Sequence, residues 1–287
     1  MKQRKHKLGW MASGLSALAI TFMACGWSSG QRPEQAAQAS DPEQTTTVKP
    51  QMAKRSTPDG LELPALRKQS GEQILRRVGY TVSYNAATRL PNWVAWHLTK
   101  AHADGPWKRN GIRFQEDPEV DQPRATDADY YNSGYDRGHM CPSGDNKWSE
   151  EAQRQSFLFT NCCPQVHGLN AGDWNEIEAQ CRRWAKRYGD VYIVSGPVLY
   201  SGRRKTIGRD KVVVPEAFFK VVLRMTPTPA AIGFIYKNVA GNRPKAAYVN
   251  TVDEVERITG YDFFVSLPDA VERKVEAQAD LADWDAE

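Results

Sequence analysis

The chain has 287 residues, room for one large domain or two small ones, and its 40% hydrophobic and 25% charged content excludes a wholly disordered or fibrous polypeptide. Its formal charge of +4 does not identify a binder of polyanions: four of the 38 Lys and Arg residues are Lys2, Arg4, Lys5 and Lys7, and the remainder equals the 34 acidic residues. A processed chain is then neutral overall, so any basic groove has to be local.

Residues 1–24 read as an export signal. The basic stretch Lys2–Lys7 precedes an uncharged, largely apolar run from Leu8 to Ala24, in the order of a signal peptide and too short for a transmembrane helix. An uncleaved membrane anchor is the rival reading. Phe22-Met23-Ala24-Cys25 resembles the lipobox of bacterial lipoproteins, with Phe22 and Met23 bulkier than that pattern prefers, and Ser28-Ser29-Gly30 offers an ordinary cleavage site instead. The expectation is an exported protein: a periplasmic or cell-surface lipoprotein attached to the membrane through lipidated Cys25, otherwise secreted. Residues 25–60, rich in Gln, Ser, Thr, Pro and charge, lack the apolar surface to offset ordering entropy and read as a flexible tether.

A folded domain is expected over residues 61–268, without internal repeats. Ser70-Gly71-Glu72-Gln73 forms a capping box that predicts a helix through Ile74 and Leu75, stopped at Gly79. Thr81–Tyr84 and Trp93–Leu98 predict strands, with Val94, Trp96 and Leu98 alternating onto one face. Val191–Ser195, Phe218–Met225 and Ala231–Tyr236 predict three more, the longest carrying Phe219, Val221, Leu223 and Met225 opposite Lys220 and Arg224. Helices are predicted at Asp173–Tyr188, ended by Gly189, and at Asp253–Thr259, begun by Thr251 with Glu254 and ended by Gly260. Residues 269–287 predict a C-terminal helix or tail. Strands and helices interleave irregularly, so the fold class is α+β rather than a doubly wound parallel sheet.

The polar residues that carry chemistry lie between Arg113 and Arg187. Asp136-Arg137-Gly138-His139 follows a Tyr-rich loop, and Gly138 would let the backbone approach a ligand. A second cluster runs Asn161-Cys162-Cys163-Pro164-Gln165, then Asn170, then the helix with Glu178 and Arg182. On that helix Trp174, Ile177, Cys181 and Trp184 make the buried stripe, while Asn175, Glu178 and Arg182 share another face. A carboxylate and a guanidinium one turn apart beside an Asn suit a hydrated cation and a phosphate together.

Arg124–Tyr130, the Asp-Arg-Gly-His run, and the spacing of Asn161, Pro164-Gln165, Asn170, Trp174, Glu178 and Arg182 resemble the DNA/RNA non-specific endonucleases of the ββα-metal (His-Me finger) class, over roughly Asn92 to Phe264. The resemblance implies a largely antiparallel sheet flanked by helices. It implies cleavage of DNA and RNA phosphodiester bonds without strong sequence specificity, leaving 5′-phosphate ends. His139 would be the general base and Asn170 the protein ligand of Mg²⁺, with Mn²⁺ an alternative ion. Glu178 would hold metal-bound water, Arg182 would contact phosphate, and Arg137 and Arg113 would bind substrate. Cys141, Cys162 and Cys163 are departures that the motif does not need.

The residue types suit that reaction. A histidine near neutral pKa can take the proton of an attacking water. Mg²⁺ prefers oxygen and keeps several waters, so one Asn carbonyl with phosphate oxygens suffices. Arginine complements phosphate bidentately. Bland readings stand beside these: Asn170 as a turn residue, Glu178 and Arg182 as an exposed i,i+4 pair, His167 as a reserve base, and His97 and His102 as structural. Arg182-Arg183 with Lys186-Arg187, and Arg203-Arg204-Lys205 with Arg209 and Lys211, are either strand-binding patches or solvated faces. Cysteine pairing is open, and zinc at His139, Cys141, Cys162 and Cys163 matches no common spacing. A restricted phosphodiesterase and a non-catalytic nucleic-acid-binding lipoprotein are the competing functions.

Overall fold

The computed structural model describes residues 59–65, 72–200 and 202–285. The export signal, Cys25 and most of the tether lie outside the described residues. Among the described residues no helix is long and apolar enough to cross a membrane.

In chain order the elements begin with β1 (Glu72–Arg76), β2 (Thr81–Asn85), β3 (Leu90–Thr99), α1 (Asp127–Tyr130), β4 (Asp136–His139), α2 (Glu150–Gln155) and β5 (Cys162–Gln165). They continue with α3 (His167–Asn170), α4 (Asp173–Tyr188), β6 (Asp190–Val198), β7 (Thr206–Ile207), β8 (Val212–Val213) and β9 (Ala217–Arg224). Last come β10 (Ala230–Lys237), β11 (Val249–Asn250), α5 (Val252–Thr259), α6 (Asp269–Glu276) and α7 (Ala282–Asp285). Seven strands form one antiparallel sheet in the order β1-β2-β3-β6-β9-β10-β11, and β4 pairs with β5 in a separate hairpin. The architecture is the α+β arrangement the sequence predicts.

The central strands are apolar on both faces because both are covered. On β9, Phe219, Val221 and Leu223 join a core with Val252 and Val255 of α5 and Val275 of α6. Phe218 and Val222 join a second core with Trp174, Ile177, Cys181 and Trp184, the predicted stripe of α4. Each large apolar side chain so buried contributes roughly 1.5–3 kcal/mol. The polar residues that alternate along β9 are not solvated. Lys220 is fully buried with its ammonium 5.0 Å from the Trp96 ring and 4.5 Å from the Trp174 ring. The Arg224 guanidinium lies over Tyr188 and Trp284 and donates to the carbonyls of Thr226 and Thr228.

One predicted element is corrected. Residues 72–76 form strand β1, not a helix, paired with β2 in the register Ile74↔Ser83 and Leu75↔Val82. A capping box is a local signal, and here a ready antiparallel partner five residues away outweighs it. Gly79 is no helix stop either: it lies in the hairpin turn closed by Arg77 N–H to Tyr80 O, and a Cβ there would come within 1.9 Å of Asn146 Oδ1. The helix ends predicted elsewhere match. Thr251 Oγ1 accepts from Glu254 N–H at the start of α5, and Gly260 closes that helix at φ +68°.

Candidate active site

The site is built by the β4–β5 hairpin and the two helices that follow it. Asp136↔Gln165, Arg137↔Pro164, Gly138↔Cys163 and His139↔Cys162 face one another across the hairpin. The glycine is needed by the protein itself rather than by a ligand: a Cβ at Gly138 would lie 2.3 Å from Gln165 Oε1 and 2.6 Å from Gln165 Cβ. Helix α4 is tied to the hairpin by Trp174 Nε1, which donates to the His139 carbonyl at 3.1 Å. Asn161 has a framework role, accepting from Cys141 N–H at 2.9 Å and donating to the Cys141 and Ser156 carbonyls.

Hairpin and helix enclose a cleft of about 790 Å³ that brings together His139, Asn170, Glu178, Arg182 and Arg137. The His139 ring packs against Phe114 and Phe157 at centroid distances of 4.9 and 5.0 Å. Its Nε2 is covered and has no hydrogen-bond partner. Burial, and secondarily the nearby Arg109 cation, push its pKa down to about 3, so the ring is neutral. Asn170 closes α3, and its Nδ2 donates to Asp136 Oδ2 at 2.9 Å. A carboxylate only accepts, so this bond fixes the amide orientation and leaves Oδ1 as the free end.

Glu178 is raised to about 7, chiefly by burial, while Lys220 and Arg182 draw it down. Arg182 donates to Asp145 Oδ1 at 2.8 Å, and the buried Asp145 also accepts from Trp96 Nε1 at 3.1 Å. Arg137 is held by Asp127 at 2.6 Å and lies over the Tyr130 ring. Arg182 and Arg137 are thus each braced by a carboxylate, which fixes the fork for a ligand at the cost of part of its charge.

Two predicted residues lie elsewhere. Arg113 is exposed and does not line the cleft; from its loop, Lys108 and Arg109 do, joined by Lys147. His167 donates through Nδ1 to Asp136 Oδ2, 2.8 Å away, with a side chain 80% exposed and outside the cleft lining. Of the two basic patches, only Arg182 lines the cleft; Arg183 bonds Gln180 and Lys205 bonds the Tyr135 hydroxyl. His97 and His102 stack on Tyr192 and Trp148, in the structural role expected of them. Cys141, Cys162, Cys163 and Cys181 are buried free thiols, each raised by burial.

Sequence reasoning missed the bracing carboxylates Asp127, Asp136 and Asp145, and the cleft cations Lys108, Arg109 and Lys147. Asp136 stood inside the motif and Lys108-Arg109 was a visible basic pair. Nothing local singles out Asp145.

Known proteins share this arrangement. The pattern of the DNA/RNA non-specific endonuclease family matches residues 61–270. The mitochondrial nuclease EXOG of Xenopus laevis is 35% identical over 214 residues, covering 69% of this chain and 60% of that protein. Nuclease C1 of Cunninghamella echinulata var. echinulata is 35% identical over 217 residues, covering 69% of this chain and 85% of that protein. The chain therefore spans about 60% of the length of the EXOG relatives. Among solved structures, an EndoG/EndoGI complex aligns with a TM-score of 0.67 at 28% identity, covering 72% of this chain and 89% of that chain. On a family pattern spanning most of its length and relatives above 30% identity, the chain belongs to the DNA/RNA non-specific endonuclease family.

Proposed function

We propose that this protein is an exported endonuclease that hydrolyses DNA and RNA phosphodiester bonds without strong sequence preference, in a reaction dependent on a divalent cation such as Mg²⁺, leaving 5′-phosphate ends. The observation that carries the reading is the pairing in one cleft of a neutral His139 ring with an Asn170 side chain whose carbonyl end is left free.

His139 is the general base. With Nε2 covered, Nδ1 is the nitrogen left to the cleft, and the neutral tautomer that uses Nδ1 as base keeps its proton on Nε2. Phe114 and Phe157 exclude water from the rest of the ring and hold its plane. Arg182 and Arg137, braced by Asp145 and Asp127, bind non-bridging phosphate oxygens and offset charge that builds up on phosphorus. Lys108, Arg109 and Lys147 make the cleft locally basic in a chain that is nearly neutral overall, and so guide the polyanion to it.

The donor set fits a hard divalent cation: an amide carbonyl at Asn170 and a carboxylate at Glu178, both oxygens, line the same cleft. A cation held there supplies charge neutralisation at the phosphate and acidity for the leaving oxygen. Glu178, raised to about 7 without an ion, is drawn to its charged form by Lys220 and Arg182 beside it.

The reading is tested by digesting plasmid, single-stranded DNA and RNA side by side, with and without EDTA, using the chain from Leu61 onward. Cleavage of all three with Mg²⁺ and 5′-phosphate termini is expected; activity that survives complete chelation refutes the metal. Export rests on the basic and apolar order of residues 1–24, and attachment on Cys25. Cys25→Ser is expected to release the protein from membranes, and a mature N-terminus downstream of Gly30 refutes lipidation.

A further inference from the structure

A second group of carboxylates lies on the other side of the sheet, where α5 and α6 cover it. Asp253 and Glu256 stand one turn apart on α5 and Glu276 ends α6; each offers a carboxylate oxygen, and these oxygens lie within 4.8 Å of one another. Asp253 is exposed and Glu256 half-buried, whereas Glu276 is only 5% exposed and its Oε1 is covered without a hydrogen-bond partner. Asp262 and Glu272 add negative potential at Glu276. Arg257 pairs with Glu254, and Arg273 acts on Glu272. A buried carboxyl facing two others with no donor is costly unless something positive is shared among them.

We propose that Asp253, Glu256 and Glu276 hold a structural Ca²⁺ ion, separate from the active site, that fastens α6 to α5. The donors are all oxygen, which selects a hard cation over zinc. The number of protein carboxylates selects between the hard cations. Ca²⁺ takes roughly six to eight oxygens and accepts several protein carboxylates, whereas Mg²⁺ keeps most of its waters and is ordinarily held by about one or two. Exposure at Asp253 leaves room for the waters that complete the shell. The ion would also steady the loop after α5, because Glu256 Oε1 accepts from Phe263 N–H at 2.8 Å and the Asp262 carbonyl accepts from Ala65 N–H at 2.8 Å. The buried ligand, Glu276, lies beyond the residues matched by the family pattern, 61–270.

The test is thermal unfolding of EDTA-stripped full-length protein titrated with CaCl₂, paired with equilibrium dialysis against radioactive Ca²⁺. At a hundredfold excess over Kd the wild type is expected to gain roughly 5–10 °C in Tm. Asn170→Ala, which weakens the active-site ion, is expected to keep that gain. Glu276→Gln is expected to lose it and bind one ion fewer, while its Mg²⁺-dependent nuclease rate stays within about twofold. Asp253→Asn, an exposed change, is expected to raise the Ca²⁺ midpoint by about tenfold, and carries the test should Glu276→Gln not fold. A wild-type Tm indifferent to millimolar Ca²⁺ overturns the proposal. So does a full gain in Glu276→Gln, or an unmoved midpoint in Asp253→Asn.

Discussion

Asp136 holds the proposed metal ligand without itself being assigned a place beside the substrate. Its Oδ2 accepts from Asn170 Nδ2 at 2.9 Å and meets His167 Nδ1 at 2.8 Å. Asp136→Ala frees the Asn170 amide to rotate, so its carbonyl end points into the cleft only part of the time. Outer partners of metal ligands are typically worth 10–100-fold in metal affinity. The concentration of Mg²⁺ for half-maximal cleavage is therefore expected to rise roughly 10–100-fold, with turnover at saturating Mg²⁺ recovering most of its wild-type value. The cost in folding stability is small. The Asp136 side chain is 31% exposed, so loss of its two bonds is expected to cost about 1 kcal/mol after solvent screening. Asp136→Asn retains an acceptor for the Asn170 amide and should fall between the two. His167→Ala removes the other partner of the same oxygen and should leave the midpoint within about twofold. Initial rates on supercoiled plasmid across a Mg²⁺ series measure all four proteins. A fall in turnover at every Mg²⁺ concentration with an unmoved midpoint refutes the positioning role.

His139→Ala is expected to lower turnover by roughly 10²–10⁴-fold; imidazole, but not added Mg²⁺, should restore part of it in a rescue assay. The depressed pKa of His139 also sets a pH dependence. The unfolded chain binds that proton near pH 6.5 and the folded protein not until about 3, so stability is full above 6.5 and falls as pH drops below it. Tm measured from pH 7 to 4 should accordingly decline less in His139→Ala than in wild type. Trp284→Ala removes a buried side chain packed 4.6 Å from Trp184 and is expected to cost about 3–5 kcal/mol in denaturant unfolding, leaving the rate per folded molecule unchanged.

Much of the fold was legible because its strands and α4 carry their own periodicity. The stripe Trp174, Ile177, Cys181 and Trp184 could face only a core, and Thr251 with Gly260 marked both ends of α5. Segment 72–76 was misread because its capping signature is local while its strand state depends on a partner, β2, that no window over those residues contains. The site divides the same way. The residues proposed to meet a ligand, His139, Asn170, Glu178 and Arg182, sit at fixed spacing in motif and helix, and the cleft gathers all four. The groups that hold them do not. Asp145 reaches Arg182 across 37 positions and Lys220 reaches the Trp174 ring from a strand that reads as sheet. Such contacts belong to the folded state alone. Arg113 lies in a loop without periodicity, where Arg109 rather than Arg113 lines the cleft.

The four internal thiols tie this protein's fate to the order of two events. Cys162 and Cys163 lie on the very hairpin that carries His139, and Cys141 and Cys181 flank it, so all four are sheltered only once the hairpin and α4 have docked. Native burial raises each of these four thiols out of the range where thiolate forms, which lowers its reactivity towards oxidants and alkylating reagents. The nascent chain has no such shelter. In an oxidising compartment it has to fold faster than its cysteines cross-link, because any wrong bridge among them would lock the catalytic hairpin open.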